Sequence, residues 1–122
     1  MSEVTEGKYA GEFITSEANG SRSREVETIL AGQTLVAAQV VGKVTASGKF
    51  AAFNQDAADG TEAAAGISFT NYDASAGDLE GVIIVRDAEV NGNDLVWPAD
   101  IDAAEQLAAE AELAALGIIV RI

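Results

Sequence analysis

The residues best suited to chemistry in this chain are three carboxylates in one short polar stretch, Asp56, Asp59 and Glu62. Closely spaced carboxylates could hold a hard cation or, as a pair facing a cleft, hydrolyse a sugar bond. Their spacing departs from the EF-hand pattern, in which acidic or amide ligands alternate ahead of a glycine. The chain has 20 acidic residues, so such groupings arise readily by chance. We therefore predict an exposed loop over residues 54–62 and no metal site.

Two other motifs suggest phosphate binding and nucleophilic catalysis, and both are incomplete. Gly42-Lys43 and Gly48-Lys49 have the wrong spacing for a phosphate-binding loop, and Phe50 stands where that loop requires Ser or Thr. Ser68 follows Gly66 as in a nucleophile elbow, but the second glycine of that motif is missing. The chain has no histidine and no cysteine to act as base or thiol nucleophile. We predict no catalytic residue, no cofactor and no enzymatic activity.

Length and charge restrict the classes of protein that remain. A chain of 122 residues is expected to form one domain. Its net charge of -13 repels the phosphates of nucleic acids and anionic lipid surfaces. No uncharged stretch is apolar enough to span a membrane. We therefore expect neither nucleic acid nor membrane as a partner.

A polar segment over residues 1–25 precedes the more regular part of the chain. Its few apolar residues show no sustained period, so it cannot bury enough surface to offset its ordering entropy. We predict a flexible arm over residues 1–25 and a single β-rich domain over residues 26–122. Tyr9, Phe13 and Ile14 would suit an arm that adds a strand to a partner's sheet. A merely frayed terminus is the alternative.

Short β-like runs separated by glycine follow the arm and predict an antiparallel β architecture. These runs cover residues 26–30, 35–41, 43–46, 49–53, 66–71 and 79–86. Residues 91–94, Asn-Gly-Asn-Asp, predict a tight hairpin that joins 82–90 to 95–97, because Asn and Gly tolerate positive φ.

The last quarter of the chain predicts a rigid corner followed by a helix. Trp97-Pro98 contains the only tryptophan and the only proline, where a strand must give way to the helix. Asp102 and Glu105 form a capping box at the start of a helix over residues 103–116, and Gly117 ends it.

The predicted helix has an apolar face rich in alanine, which we expect to pack against the sheet. That face consists of Ala103, Ala104, Leu107, Ala111 and Ala114, with Glu105 and Glu112 opposite. We expect Leu107, Leu113 and Leu116 to belong to the core.

Several segments in a fixed order carry a resemblance to a known family. They are residues 11–13, 16–20, 35–49, 65–67, 77–78, 82–86, 95–98 and 113–121, of which residues 41–49 match best. Together they span nearly the whole chain and resemble the head decoration proteins of tailed bacteriophages, the lambda-type capsid-stabilising family.

The resemblance implies a mainly β fold with one C-terminal helix (α+β), β-clip-like and homotrimeric, with a flexible N-terminal arm. It also implies a structural capsid decoration protein whose partner is the major capsid protein. The trimer would bind the outer surface of the expanded phage head at three-fold and pseudo-three-fold positions and stabilise it against internal DNA pressure. The protein would be made in the host cytoplasm and end on the outer surface of the capsid head of the virion.

On this interpretation the arm carries the candidate capsid contacts, which are Tyr9, Glu12, Phe13, Ile14 and Ser16. Trp97 and Pro98 are candidate contacts to the capsid or to another subunit, and a plain core tryptophan is the alternative.

Two other functional classes remain open at this stage. One is a carbohydrate- or host-surface-binding β module of a virion, which would show rows of exposed aromatic residues. The other is a small acidic trimeric β enzyme, which would need a metal and matched carboxylates.

Overall fold

The computed structural model describes residues 11–20 and 22–121. This part of the chain forms ten short strands and one α-helix. The strands are β1 (Ile14–Glu17), β2 (Arg24–Ile29), β3 (Thr34–Leu35), β4 (Val40–Lys43), β5 (Phe50–Ala52), β6 (Gly66–Ser68), β7 (Tyr72–Asp73), β8 (Leu79–Ile84), β9 (Ala88–Asn91) and β10 (Ile118–Arg121), and the helix is α1 (Ala103–Ala115). The predicted fold class, mainly β with a single C-terminal helix, is confirmed.

The strands form a closed barrel and two smaller sheets. The barrel has the order β2-β5-β4-β6-β8 and is closed by the antiparallel pairing of β2 with β8. β3 pairs with β7, and a three-stranded sheet has the order β1-β9-β10. A closed barrel has no free edge, whereas β1 and β10 are the edge strands of their sheet.

Two groups of buried apolar side chains hold these layers together. One fills the barrel and consists of Ile29, Leu35, Val41, Phe50, Ala74 and Ile83. The larger one joins the barrel to α1 and the three-stranded sheet, and its largest members include Phe13, Phe53, Ile67, Ile84, Leu113 and Ile118. Burial of this apolar surface is the main force that holds the sheet and the helix on the barrel.

Residues 11–25 differ from the sequence prediction, which assigned them to the flexible arm. Phe13 is 0 % exposed within the larger core group. β1 pairs with β9, and β2 already begins at Arg24. These residues gain their burial from segments far along the chain, and such contacts leave no local periodic pattern. The rest of the predicted arm, residues 1–10, lies outside the described residues.

The strand boundaries also differ from prediction in several places. The predicted strand over residues 35–41 is divided into β3 and β4, because Ala38 has a positive φ of 71°. The predicted strand over residues 43–46 ends at Lys43.

The predicted hairpin at residues 91–94 is wrong. Gly92–Asp94 forms a 3-10 turn, capped by the Asn91 side chain, which accepts a hydrogen bond from the Asn93 N–H. β9 instead pairs antiparallel with β1 and parallel with β10. The tertiary pairing of β9 prevails over the local turn preference of Asn-Gly.

The two ends of α1 match the prediction. The Asp102 carboxylate accepts a hydrogen bond from the Glu105 N–H at 2.8 Å, and Glu105 Oε1 accepts one from the Asp102 N–H at 3.0 Å. Gly117 follows the helix with a φ of +88°. The capping box and the glycine stop are therefore confirmed.

The predicted alanine-rich core face of α1 is wrong, but of the three leucines expected in the core Leu113 is buried as predicted. Ala109 and Leu113 are its buried residues, whereas Leu107 is 67 % exposed and Leu116 is 38 % exposed. The four alanines of the predicted face, Ala103, Ala104, Ala111 and Ala114, are also exposed. The rotation of the helix is set by its connections: β10 follows Gly117 at once, and Ile118 is buried beside Leu113 in the same core group.

Candidate functional site

The candidate site is the free edge of β1 with the residues that lead into it. β1 has β9 on one side, and among residues 11–20 and 22–121 no strand of its sheet lies on the other. Glu12 and Ser16 are exposed, and Ile14 is half-buried. Phe13 is buried, and Tyr9 lies outside the described residues. An exposed edge presents backbone N–H and C=O groups that a partner strand can pair with.

Phe13 anchors this edge from the inside. Its side chain has no exposed surface, and its carbonyl accepts a hydrogen bond from the Asn91 N–H at 2.8 Å. The half-buried Ile14 packs against the same core group. Phe13 therefore holds β1 in place and is not available to touch a partner while β1 stays docked.

The chain enters β1 at a point where only glycine fits. The Gly11 N–H donates to the Phe69 carbonyl at 3.0 Å, and Gly11 has a φ of +71°. A Cβ at this position would lie 2.8 Å from the Phe69 ring. The backbone just before β1 is thereby fixed against the barrel.

The other end of β1 is fixed by a buried hydroxyl that sequence reasoning missed. The Ser23 side chain is fully buried; its Oγ accepts a hydrogen bond from the Ala18 N–H at 3.0 Å and donates one to the Asp87 carbonyl at 2.8 Å. One hydroxyl thus ties the turn after β1 to the connection between β8 and β9. A lone serine in a polar stretch carries no sequence signal for this role.

An ion pair adds a side-chain link between β1 and β2. Arg24 Nη2 lies 2.5 Å from Glu17 Oε1, and Arg24 Nε lies 3.1 Å from Glu17 Oε2. The guanidinium carbon is also 4.3 Å from the centroid of the Phe69 ring. The hydrogen bond to Glu17 raises the pKa of Arg24.

Trp97 lies at the corner between the barrel and the segment leading to α1. Its ring meets the Phe53 ring edge-on, with 6.0 Å between centroids. The backbone beside it is held by the Val96 N–H, which donates to the Ala38 carbonyl at 2.9 Å. Trp97 and Pro98 line an open hollow of ≈ 520 Å³. This packing favours the core role for Trp97, and contact of either residue with another molecule stays a prediction.

Asp59 and Glu62, which could have held a metal, instead accept hydrogen bonds from groups within their own loop. The Asp59 carboxylate accepts hydrogen bonds from the Thr61 hydroxyl at 2.6 Å and from its N–H at 3.0 Å, which lowers the pKa of Asp59. Glu62 accepts one from the Gly60 N–H at 2.8 Å. Across residues 11–20 and 22–121, no group of three or more potential ligands could hold a metal ion. These carboxylates stabilise turns.

Charge is unevenly distributed over the surface. Five ion pairs occur among the described residues, and all lie in the strands of the barrel and the three-stranded sheet or in residues next to those strands: Arg22–Asp87, Arg24–Glu17, Lys49–Asp78, Arg86–Glu25 and Arg121–Glu89. Residues 94–112, which include most of α1, carry acidic side chains and no basic one. The side of the molecule that carries α1 is therefore the more negative. Among the described residues no helix has the length and apolar character needed to cross a membrane.

The fold and the candidate site together describe a closed β barrel with a well-anchored edge strand beside it. The carboxylates of Asp59 and Glu62 stabilise turns. A family model described as head decoration protein D of bacteriophage lambda matches residues 3–118. The chain therefore belongs to the phage head decoration family, and the resemblance found in the sequence is confirmed. A comparison with curated proteins gave no match.

Family membership establishes the general role of the chain. It is a structural component of the virion that decorates the phage capsid, and its partner is accordingly the capsid. The family is a structural one and not a class of enzymes.

Proposed function

We propose that this protein binds as a homotrimer to the outer surface of the expanded phage head, at three-fold and pseudo-three-fold positions. There it ties neighbouring major capsid proteins together and stabilises the head against the pressure of packaged DNA. The observation that carries the proposal is the free edge of β1, held firmly by Phe13 and preceded by the N-terminal residues. Three such edges in one trimer would multiply weak contacts into durable attachment.

Strand addition at β1 is the proposed mode of capsid binding. A capsid strand that pairs with this edge would gain backbone hydrogen bonds, and exposed side chains would set its register. Glu12 and Ser16 are exposed there, and Ile14 is half-buried. We retain these three residues and Tyr9 as candidate contacts and assign Phe13 the role of anchor.

The outward face of α1 supports self-association. Leu107 lies exposed among four exposed alanines, a row that the sequence pattern marks as a packing face. A ring of three subunits uses two different surfaces of each subunit, so this row would meet another part of the neighbouring chain. Trp97 and Pro98 are retained as candidate subunit or capsid contacts. We assign the domain a β-clip-like fold, which its short strands and long connections support.

The net charge supports an outward-facing position. A charge of -13 disfavours contact with DNA, and the α1 side is especially acidic. A location on the outside of a DNA-filled shell, with this side away from nucleic acid, avoids that repulsion.

Binding to purified, undecorated heads tests the proposal. The full chain and a variant that lacks residues 2–10 are incubated with expanded heads and sedimented. The truncation ends at residue 10 because a longer one would remove the Phe13 anchor. We expect about three copies of the full chain per local three-fold site, and weaker co-sedimentation of the truncated protein, which loses Tyr9 but keeps the β1 edge.

Two controls make the result interpretable. The truncated protein must keep the trimer mass and the unfolding temperature of the full chain, and unexpanded heads show whether expansion is required. Equal binding of the truncated and full chains would contradict attachment through the N-terminal residues. A full chain that stays in the supernatant would contradict the proposed function as a whole.

A further inference from the structure

Arg24 and Glu17 connect two sheets that share no strand pairing at this point. Arg24 begins β2 in the barrel, whereas Glu17 ends β1 in the three-stranded sheet. Their two parallel hydrogen bonds form a fork between guanidinium and carboxylate, which fixes direction as well as distance. The pair therefore sets the angle at which β1 lies on the barrel.

Phe69 extends this link to the other end of β1. Its ring lies 4.3 Å from the Arg24 guanidinium carbon, within the range of a cation–π contact. Its carbonyl accepts the Gly11 N–H, and its ring closes off the space where a Cβ of residue 11 would lie. Arg24, Glu17 and Phe69, here called the β1 latch, hold both the start and the end of the strand.

We propose that Arg24 is a positioning residue for capsid binding, which acts by holding the β1 edge in the orientation that accepts a capsid strand. The inference rests on the proposed function and names the residue that prepares the site for its partner. An edge that is already ordered loses less conformational entropy on binding, so the attachment is stronger for the same contacts.

The position of the latch argues that its main effect is on binding. The Arg24 and Glu17 side chains are 36 % and 21 % exposed, so water partly screens their attraction and we expect the pair to contribute only modestly to global stability. Phe13 and the barrel core keep the domain folded without it. The latch nevertheless controls the strand that the capsid would meet.

Three variants separate positioning from stability. Arg24→Met keeps an apolar side chain over Phe69 and removes the ion pair, whereas Arg24→Lys keeps the charge. Arg121→Met is the matched control, because it removes an ion pair in the same sheet and Arg121 itself lies on β10, the edge strand opposite β1. The measurements are the dissociation rate from expanded heads, the unfolding temperature, and hydrogen exchange of the Gly11 and Ala18 amides.

We expect Arg24→Met to dissociate faster from expanded heads, by roughly fivefold for each β1 edge that is engaged. This is the scale of the loss of one partly exposed ion pair. Its Gly11 and Ala18 amides should exchange faster, while the barrel amides of β2 and β8 keep their protection. Arg24→Lys should restore most of the wild-type dissociation rate, and Arg121→Met should match wild type.

The possible failures are distinct. If wild type binds heads and Arg24→Met dissociates at the same rate, the inference is overturned and the proposed function stands. If faster dissociation comes with equal loss of protection in the barrel, the role of Arg24 is structural and the inference is also overturned. If wild type does not bind expanded heads, both the proposed function and the positioning role of Arg24 are contradicted.

Discussion

Phe13 is the residue on which the placement of β1 depends most. Its side chain is fully buried among residues of the barrel, α1 and β10, and its carbonyl pairs with Asn91. Sequence reasoning selected it as an aromatic residue that a solubilising tail would not need. That selection identified an important residue, but the structure assigns it to the core of its own domain.

Phe13→Ala should therefore destabilise the fold. Removal of a buried phenylalanine side chain typically costs about 3–5 kcal/mol, since both the transfer free energy and a cavity contribute. Denaturant unfolding measures the loss. Leu107→Ala is the control: it removes a large side chain that is 67 % exposed and should change the free energy of unfolding by less than about 0.5 kcal/mol in the monomer. A Phe13→Ala variant as stable as wild type would show that β1 is not docked by this side chain.

Among the secondary-structure elements, α1 is the one whose observed packing differs from the packing that its sequence pattern predicts. Its apolar row points outward, while its inward side includes Glu112, which accepts a hydrogen bond from the Ala64 N–H at 2.9 Å. A helix can bury such a polar side only where each polar group finds a partner. The outward row then remains as surface available to another subunit.

Leu107→Lys should weaken the proposed trimer and leave the subunit folded. A lysine in the centre of this row would place a charge in an apolar contact, at a cost of several kcal/mol if it is buried. Mass measurement in solution over a concentration series detects the change. Val26→Lys is a matched control, because Val26 is 65 % exposed on the barrel. A trimer lost in Val26→Lys and kept in Leu107→Lys would place the subunit contact on the barrel.

For the whole molecule, net charge is the property that most affects assembly. In the proposed trimer, three copies that each carry a net charge of -13 would repel one another. A contact between subunits of this proposed trimer would have to overcome a general repulsion that salt can screen.

Salt should therefore strengthen the proposed trimer. A rise in NaCl from about 10 mM to about 150 mM shortens the Debye length from about 30 Å to about 8 Å, which weakens repulsion between exposed charges. We expect the dissociation constant of the trimer to fall over this range in analytical ultracentrifugation, with the far-ultraviolet circular dichroism spectrum unchanged. A trimer that dissociates as salt rises would show instead that ion pairs between subunits dominate the contact.

The sequence by itself determined the features that depend on neighbouring residues and on the overall order of segments. The capping box of Asp102 and Glu105 and the stop at Gly117 need only local geometry, and they are present as predicted. Composition determined the acidic surface, and the order of segments along the chain identified the family. The mainly β class followed from short runs between glycines.

Only the tertiary structure decided which surfaces are free. The burial of Phe13, the pairing of β9 with β1 and β10, and the rotation of α1 all depend on contacts between residues far apart in the chain. Hydrophobic periodicity can say that a face is apolar, but the partner that covers it is set by chain connections and packing. The edge of β1 and its latch could not be predicted for the same reason, because Glu17, Arg24 and Phe69 come together only when the sheet docks on the barrel.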